Sequence, residues 1–196
     1  MSAPTLQELI HQLQHGSNRL RLQAAHLLAG YPEPEAVAAL REVLYTSEDP
    51  ALQDTAAKSL GRMGVTAFDV LVELLSRPGA TGHPRYTVRA IAAEALGKQQ
   101  NHAAVQPLIL ALKDIHPEVR RQAASALIHY KEDRSIEALK QVLLQDPDPN
   151  VRSRAASVLQ AMGITAPVNI PTIITASKPP TKHLPPLHSD RSPKKE

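Results

Sequence analysis

The pair Ala-Ala recurs five times along this chain, each time in the same surroundings. The copies stand at Ala24-Ala25, Ala56-Ala57, Ala92-Ala93, Ala123-Ala124 and Ala155-Ala156. Successive copies are 32, 36, 31 and 32 residues apart, which is the period of stacked helical hairpins. The spacing therefore predicts an all-α fold, a right-handed α-solenoid of about ten helices.

The helix that carries Ala-Ala, called here the first-type helix, has recognisable start and stop signals. Three copies start with an N-cap residue followed by proline, at Asp49-Pro50, His116-Pro117 and Asp148-Pro149. A Leu three residues after each pair extends an apolar stripe. Glycines stand where four of these helices should end, and we expect each to adopt the left-handed conformation of a C-terminal residue. These are Gly30, Gly64, Gly97 and Gly163.

A second-type helix follows each of the first four first-type helices and carries apolar residues at i, i+3 and i+7. The segment with Leu6, Leu9 and Leu13 follows the same rule, so the chain starts with a second-type helix that lacks its first. The ten predicted helices span residues 5–14, 17–29, 34–46, 50–62, 66–76, 85–97, 103–113, 117–130, 134–145 and 149–162. Two small residues on each first-type helix let neighbouring backbones approach closely, which allows the hairpins to stack.

Composition excludes several classes of function. The chain of 196 residues has no cysteine, which removes disulfides, thiolate metal sites and a thiol nucleophile. Residues 1–164 hold 17 basic and 17 acidic side chains, so the net charge of +3 comes from residues 165–196. A balanced repeat body argues against nucleic acid as a partner. No apolar run is long enough to span a membrane and no secretory signal is visible, so we expect a cytoplasmic protein.

The repeats resemble a known family. The segments that start at His116 and Asp148 read HPEVRRQAASAL and DPNVRSRAASVL, which is similar to short HEAT repeats of the phycobilisome-lyase type. The resemblance covers about residues 5–164 and implies a HEAT/armadillo-like solenoid. The superfamily includes bilin lyase subunits, factors that act in phycobilisome breakdown, the iron enzyme deoxyhypusine hydroxylase, and scaffolds without catalytic activity.

One of these activities is excluded by the sequence itself. Deoxyhypusine hydroxylase binds iron through repeated His-Glu dipeptides, and this chain contains none. The sequence also lacks a phosphate-binding glycine loop, a nucleophile elbow and a paired carboxylate cluster, so it gives no catalytic residue and no resident cofactor. We expect a non-catalytic scaffold or adaptor. The alternative is a bilin lyase subunit or a phycobilisome assembly or degradation factor, and a phycobilin would then be its transferred ligand.

The predicted binding surface is the concave face, which the second-type helices should line. Their outward positions differ from copy to copy, as a surface selected for one partner requires. Apolar residues occupy the middle and charged or polar residues the rim. The residues predicted to contact a protein partner are Arg41, Glu42, Val72, Ile109, Leu110, Lys140 and Gln141. Local burial of the apolar members remains an alternative, and the partner is expected to be a phycobiliprotein, a second HEAT-repeat subunit or another protein.

Two further sets of side chains have both a structural and a functional interpretation. Four arginines share one position of the repeat, and Gln53 stands there in the remaining copy; they are Arg21, Arg89, Arg120 and Arg152. They could bind an acidic partner, but in HEAT-type repeats such an arginine usually pairs with a loop aspartate of the neighbouring repeat, which we favour. His11 and His15 are one helical turn apart, yet no third metal ligand is evident, so we predict no metal site.

Two segments fall outside the regular pattern. Residues 77–84 account for the longest distance between successive Ala-Ala pairs. The two glycines and two prolines in this segment predict a surface loop. Residues 165–196 contain 7 of the 17 prolines and no aromatic residue, which predicts a disordered tail beyond a solenoid of residues 1–164. The tail starts with an apolar stretch, Val168–Ile174, which could cover the open end of the last repeat.

Overall fold

The computed structural model describes residues 3–76 and 85–164. Within them the chain forms ten α-helices and no strand, which confirms the predicted all-α class. The helices are α1 (Leu6–His15), α2 (Asn18–Leu27), α3 (Pro34–Thr46), α4 (Pro50–Arg62), α5 (Phe68–Leu75), α6 (Tyr86–Gln99), α7 (Val105–Ala111), α8 (Pro117–Ala126), α9 (Asp133–Gln145) and α10 (Pro149–Ala161). The predicted loop, 77–84, and the predicted tail, 165–196, lie outside the described residues.

The starts of the helices follow from local hydrogen bonds. The Asp49 carboxylate accepts from the N–H groups of Ala51 and Leu52, and Asp148 does the same at the start of α10. His116 caps α8 through its ring Nδ1, which accepts from the N–H of Glu118. These side chains satisfy donors that have no partner inside a helix, so α4, α8 and α10 begin at the predicted residues. The two first-type helices without a side-chain cap, α2 and α6, begin one residue later than predicted.

The even-numbered, first-type helices stack directly on one another in chain order. The odd-numbered, second-type helices pack beside them and form the other layer. The Ala-Ala pairs are fully buried in the first four copies, whereas Ala156 in the last copy is half-buried. The pairs therefore serve close packing, as the sequence predicts.

Two glycines show how close the first-type helices come. A Cβ atom on Gly61 would lie 2.9 Å from the Cβ of Ala95, and one on Gly97 would lie 2.7 Å from the Cβ of Ala126. Both distances are shorter than real Cβ contacts. Glycine is thus required at these two positions by the neighbouring helix rather than by backbone conformation.

The prediction that four glycines end helices in the left-handed conformation is half correct. Gly64 and Gly163 have φ values of 65° and 77°, as expected for residues that follow a helix. Gly97 instead lies inside α6, which continues to Gln99, and Gln100 takes the left-handed conformation with φ of 52°. Gly30 ends a short 3₁₀ turn without a positive φ. The sequence pattern alone does not separate a terminating glycine from one needed for helix contact.

In two copies no residue with a left-handed conformation follows the first-type helix, and a tyrosine lies there instead. Tyr130 is fully buried and donates its hydroxyl to the carbonyl of Leu96 at 2.7 Å, near the end of α6. Burial raises the pKa of Tyr130, which keeps the hydroxyl protonated. Tyr31 donates in the same way to the carbonyl of Pro4. Each tyrosine thereby ties one repeat to the residues that precede it.

The helices in the described part of the chain are all shorter than the roughly 20 residues that a bilayer span requires. None is long and apolar enough for a membrane span.

Candidate functional site

The predicted surface lies on the outer side of the second-type helices, called here the second-helix face. Its residues come from two neighbouring positions of the repeat, one on each flank of a helix. The first position contains Arg41, Val72, Ile109 and Lys140, and the second contains Glu42, Glu73, Leu110 and Gln141. In the structure Arg41 at the first position binds Glu73 at the second position of the next helix, and Ile109 and Gln141 line one groove in the same way.

Arg41 and Glu73 meet across the groove between α3 and α5. The guanidinium donates from Nε and Nη2 to the two carboxylate oxygens at 2.9 and 2.7 Å, and Tyr45 donates its hydroxyl to the same carboxylate. This hydrogen bonding raises the pKa of Arg41. Glu42 lies beside them, and the groove has a volume of about 360 Å³. Both side chains of the ion pair are substantially exposed, so the pair remains accessible to a partner.

The apolar part of the second-helix face lies between α5 and α7. Val72 and Leu110 occupy the positions that Arg41 and Glu73 hold one repeat earlier, so this register places them on facing sides of the next groove. Val72 is half-buried against the core, whereas Leu110 is 52% exposed. An exposed leucine beside a half-buried valine provides apolar surface that a protein partner can cover.

A third groove runs between α7 and α9 and has a volume of about 390 Å³. Ile109 and Lys113 line one wall, and Ala138, Gln141 and Gln145 line the other. Ile109 is half-buried and packs on the core, as the alternative interpretation of the sequence expected for the apolar members. The groove is therefore of mixed character, with an apolar wall and amide side chains that can form hydrogen bonds.

Lys140 is separated from these grooves because α9 is the last second-type helix of the described chain. Its ammonium lies 3.9 Å from the carboxylate of Glu137 on the same helix, a partly exposed contact of little energetic weight. The structure thus brings the seven predicted residues to one face but distributes them over successive grooves rather than one pocket.

The arginines that share one position of the repeat, with Gln53 in the remaining copy, are called here the arginine ladder, and their role is structural, as the favoured interpretation expects. Arg89 donates from Nε and Nη2 to the Asp114 carboxylate, both at 2.8 Å, and Arg120 donates to Asp146 at 2.7 and 2.9 Å. Both carboxylates belong to the loop of the following repeat. All four side chains are buried, and the bond to Asp146 raises the pKa of Arg120. Such bidentate, buried pairs fix the position of one repeat on the next.

The first two rungs of the ladder use backbone carbonyls. Arg21 donates to the carbonyl of Leu13, and Gln53 donates to those of Leu44 and Ser47. Ser47 stands at the loop position that Asp114 and Asp146 fill in later repeats. Among the described residues, the ion pairs formed at this position of the repeat are thus confined to the C-terminal part of the solenoid.

Sequence reasoning missed the grooves on the opposite, first-helix face. One of about 640 Å³ lies between α8 and α10, where Arg121 is held by two hydrogen bonds to Glu118 and lowers the pKa of that carboxyl group. Another of about 580 Å³ lies between α4 and α6 beside Lys58 and Arg62. The outward positions of the first-type helices differ between copies, and that variation was the available signal.

His11 and His15, which lie one helical turn apart, have no further potential metal ligand beside them among the described residues. The rings of His11 and His15 have centroids 4.9 Å apart. Among residues 3–76 and 85–164 no group of three or more His, Asp or Glu side chains could hold a metal ion. Two exposed imidazoles without a further ligand make a poor structural zinc site.

The helices form two layers that are stacked in chain order, with buried small residues between them and side chains that join each repeat to the next. These features define the class of α-solenoid proteins. Matches to the HEAT-repeat family model cover residues 6–81 and 77–160. The chain therefore belongs to the HEAT-repeat family, as the resemblance of its sequence implies.

Two solved structures give the same fold. A chain of the CpcE–CpcF complex of phycocyanin lyase from Nostoc sp. PCC7120 matches with a TM-score of 0.57 and 19% identity, over 78% of this chain and 96% of that one. An engineered protein matches with a TM-score of 0.50 and 24% identity, over 81% of each chain. Human deoxyhypusine hydroxylase matches with a TM-score of 0.40 and 18% identity, over 84% and 86%. No curated protein sequence matches the chain.

Proposed function

We propose that this HEAT-repeat protein is a non-catalytic scaffold that binds a protein partner along its second-helix face. The observation that carries the proposal is the order of the grooves. The ionic groove at Arg41 and Glu73 is followed along the face by apolar surface at Val72 and Leu110 and then by a mixed groove at Ile109 and Gln141. An apolar centre between polar sides is the arrangement typical of protein interfaces.

The partner expected from this surface is an extended or helical segment that crosses several grooves. It would place an apolar side chain on Leu110 and polar groups beside the Arg41–Glu73 pair. Each groove is shallow and opens to solvent, which suits a polypeptide rather than a small molecule. The described residues also offer no cluster of nucleophile, base and oxyanion donors on this face, so binding rather than catalysis accounts for the features present.

The experiment is affinity purification of the intact chain followed by mass spectrometry, with two matched variants. Leu110→Asp introduces a charge at the centre of the second-helix face, and Val65→Asp introduces the same charge at an exposed apolar residue in the turn before α5. Both residues are exposed, so both variants should fold. We expect Leu110→Asp to lose partners that Val65→Asp retains. Identical sets of captured proteins from all three chains would contradict the proposal.

A second candidate is a bilin lyase subunit or another phycobilisome factor, and the likeness to the phycocyanin lyase chain supports it at the level of fold. In that case a phycobiliprotein would be the partner and a phycobilin the transferred ligand. Co-expression with phycobiliprotein subunits and a phycobilin source tests this candidate. A covalently attached, absorbing chromophore that depends on this chain supports the lyase role, and apoprotein unchanged by the chain argues against it.

A further inference from the structure

The two ends of the solenoid are incomplete in complementary ways. The described chain starts with α1, a second-type helix without a first-type helix before it. It ends with α10, a first-type helix that no second-type helix follows within residues 3–76 and 85–164. Within the described residues, one end therefore presents a second-type helix and the other a first-type helix.

The C-terminal end face retains the groups that hold one repeat on the next. Arg120 and Ala124 of α8 are buried beneath α10, whereas the equivalent Arg152 and Ala156 of α10 are half-buried. Arg152 donates from Nη1 to the carbonyls of Asp146 and Pro147. Arg120 donates in the same way to the carbonyls of Asp114 and Ile115 in the loop before α8. The Nε and Nη2 edge of Arg152, which in Arg120 binds a carboxylate, meets no acceptor in the described chain.

Leu144 adds apolar area to the same end. It lies on α9, the last second-type helix of the described chain, and it is 63% exposed. The C-terminal end thus presents a small alanine and a guanidinium with unused donors on α10, and an exposed leucine on α9.

The N-terminal end presents the matching flank of a first-type helix. Leu20 and Leu27 of α2 are 41% and 37% exposed. The same two positions are buried against the preceding repeat in every later first-type helix. The buried equivalents of Leu20 are Leu52, Val88, Val119 and Val151, and those of Leu27 are Ser59, Ala95, Ala126 and Val158.

We propose that the C-terminal end face binds the N-terminal end of a second copy of this chain. In this arrangement α1 of the second copy takes the place of the second-type helix beside α10, and α2 stacks on α10 as α10 stacks on α8. The interface continues the repeat-to-repeat packing already present four times within the chain. Because the two surfaces differ, the contact is heterologous, and copies can extend head to tail.

The internal repeats specify which residues should meet. Gly97 touches Ala126 in the stack of α6 on α8, and the equivalent pair across two copies is Gln160 with Leu27. The Arg120–Asp146 pair corresponds to Arg152 with His15 of the second copy, where a neutral ring nitrogen can accept a hydrogen bond. Because a carboxylate is the stronger acceptor for a guanidinium, the association should be weak in the natural sequence and should tighten when His15 is replaced by an acid.

The absence of cysteine from the chain allows a direct test by disulfide cross-linking. The full chain is made with Gln160→Cys, with Leu27→Cys and with both, and each is oxidised under mild conditions at micromolar concentration. Neighbouring first-type helices bring equivalent Cβ atoms close enough for a disulfide bond. We expect the double variant to give a series of covalent oligomers of increasing size. A mixture of the two single variants should give one covalent dimer, and either single variant alone should remain a monomer.

Sedimentation of the reduced protein provides a second measurement that needs no cross-link. His15→Asp should lower the dissociation constant about tenfold, because it restores the carboxylate partner of the ladder. Adding Arg152→Glu to that variant should cancel the gain. The proposal would be overturned if the double variant gave no series of oligomers, or if the single variants alone gave as much dimer. The end face would then have another occupant, such as residues 165–196 or a different protein. Sedimentation unchanged by His15→Asp would overturn the assigned register.

Discussion

At the scale of single residues, this fold depends on side chains that join one repeat to the next. The sequence identifies the arginine ladder because the same position is basic in four copies. It does not reveal which rungs are ion pairs, since that depends on a loop residue of the following repeat, aspartate at 114 and 146 but serine at 47. The carboxylate partners became evident only when the helices were placed.

Gly97 provides a test of the close helix contact. In Gly97→Ala the new methyl group would lie 2.7 Å from the Cβ and 2.8 Å from the Cα of Ala126, so the two helices must separate. We expect a loss of about 1–3 kcal/mol in the free energy of unfolding, measured by urea denaturation. Gly30→Ala is the control, because no atom lies within 4 Å of its Cβ position. Equal stability of the two variants would show that the contact at Gly97 is not tight.

Arg120 provides a test of the buried ladder. Lysine in its place cannot form the two parallel hydrogen bonds to Asp146, and it leaves a buried carboxylate poorly paired. We expect Arg120→Lys to lower the free energy of unfolding by about 2–4 kcal/mol. Arg152→Lys, at the half-buried end of the ladder, should lower it by less than about 1 kcal/mol. A larger effect at Arg152 would reverse the assigned roles.

At the scale of helices, periodicity predicts the number, type and order of the elements, and capping residues predict most of their starts. The ends are less predictable. Gly97 looks like a stop signal by position, but α6 runs to Gln99 because a small residue is needed there for contact with α8. Such a requirement comes from a helix about 30 residues further along the chain.

The Ala-Ala pairs support a prediction about whole helices. Ala124 is fully buried between α8 and its neighbours, so Ala124→Trp should separate the stack and abolish the cooperative thermal transition or lower its midpoint strongly. Ala156 holds the same position in α10 but is half-buried at the end. Ala156→Trp should therefore melt close to the unsubstituted protein. Differential scanning calorimetry of the two variants measures the contrast, and similar losses in both would contradict it.

At the scale of the whole molecule, the repeats specify the class of protein, an α-solenoid, but they do not identify its partner. Variable positions on the second-type helices indicate a face, and the structure adds that these positions meet in pairs across grooves, as Arg41 and Glu73 do. That pairing needs the offset between adjacent helices, which periodicity within one helix does not contain. The grooves of the first-helix face depend on the same kind of offset, because each lies between two neighbouring first-type helices.

The confinement of the carboxylate rungs to the C-terminal part has a consequence for how the solenoid opens. In a linear array each repeat is held by its neighbours, so the free energy of local unfolding follows the strength of the nearest interfaces. The interfaces that join α6, α8 and α10 contain buried pairs of an arginine and a loop aspartate, whereas Arg21 and Gln53 in the first two copies bind backbone carbonyls at the same position. We therefore expect local unfolding to require less free energy in the N-terminal repeats than in the C-terminal ones, and a ligand that spans both to stabilise the N-terminal repeats most.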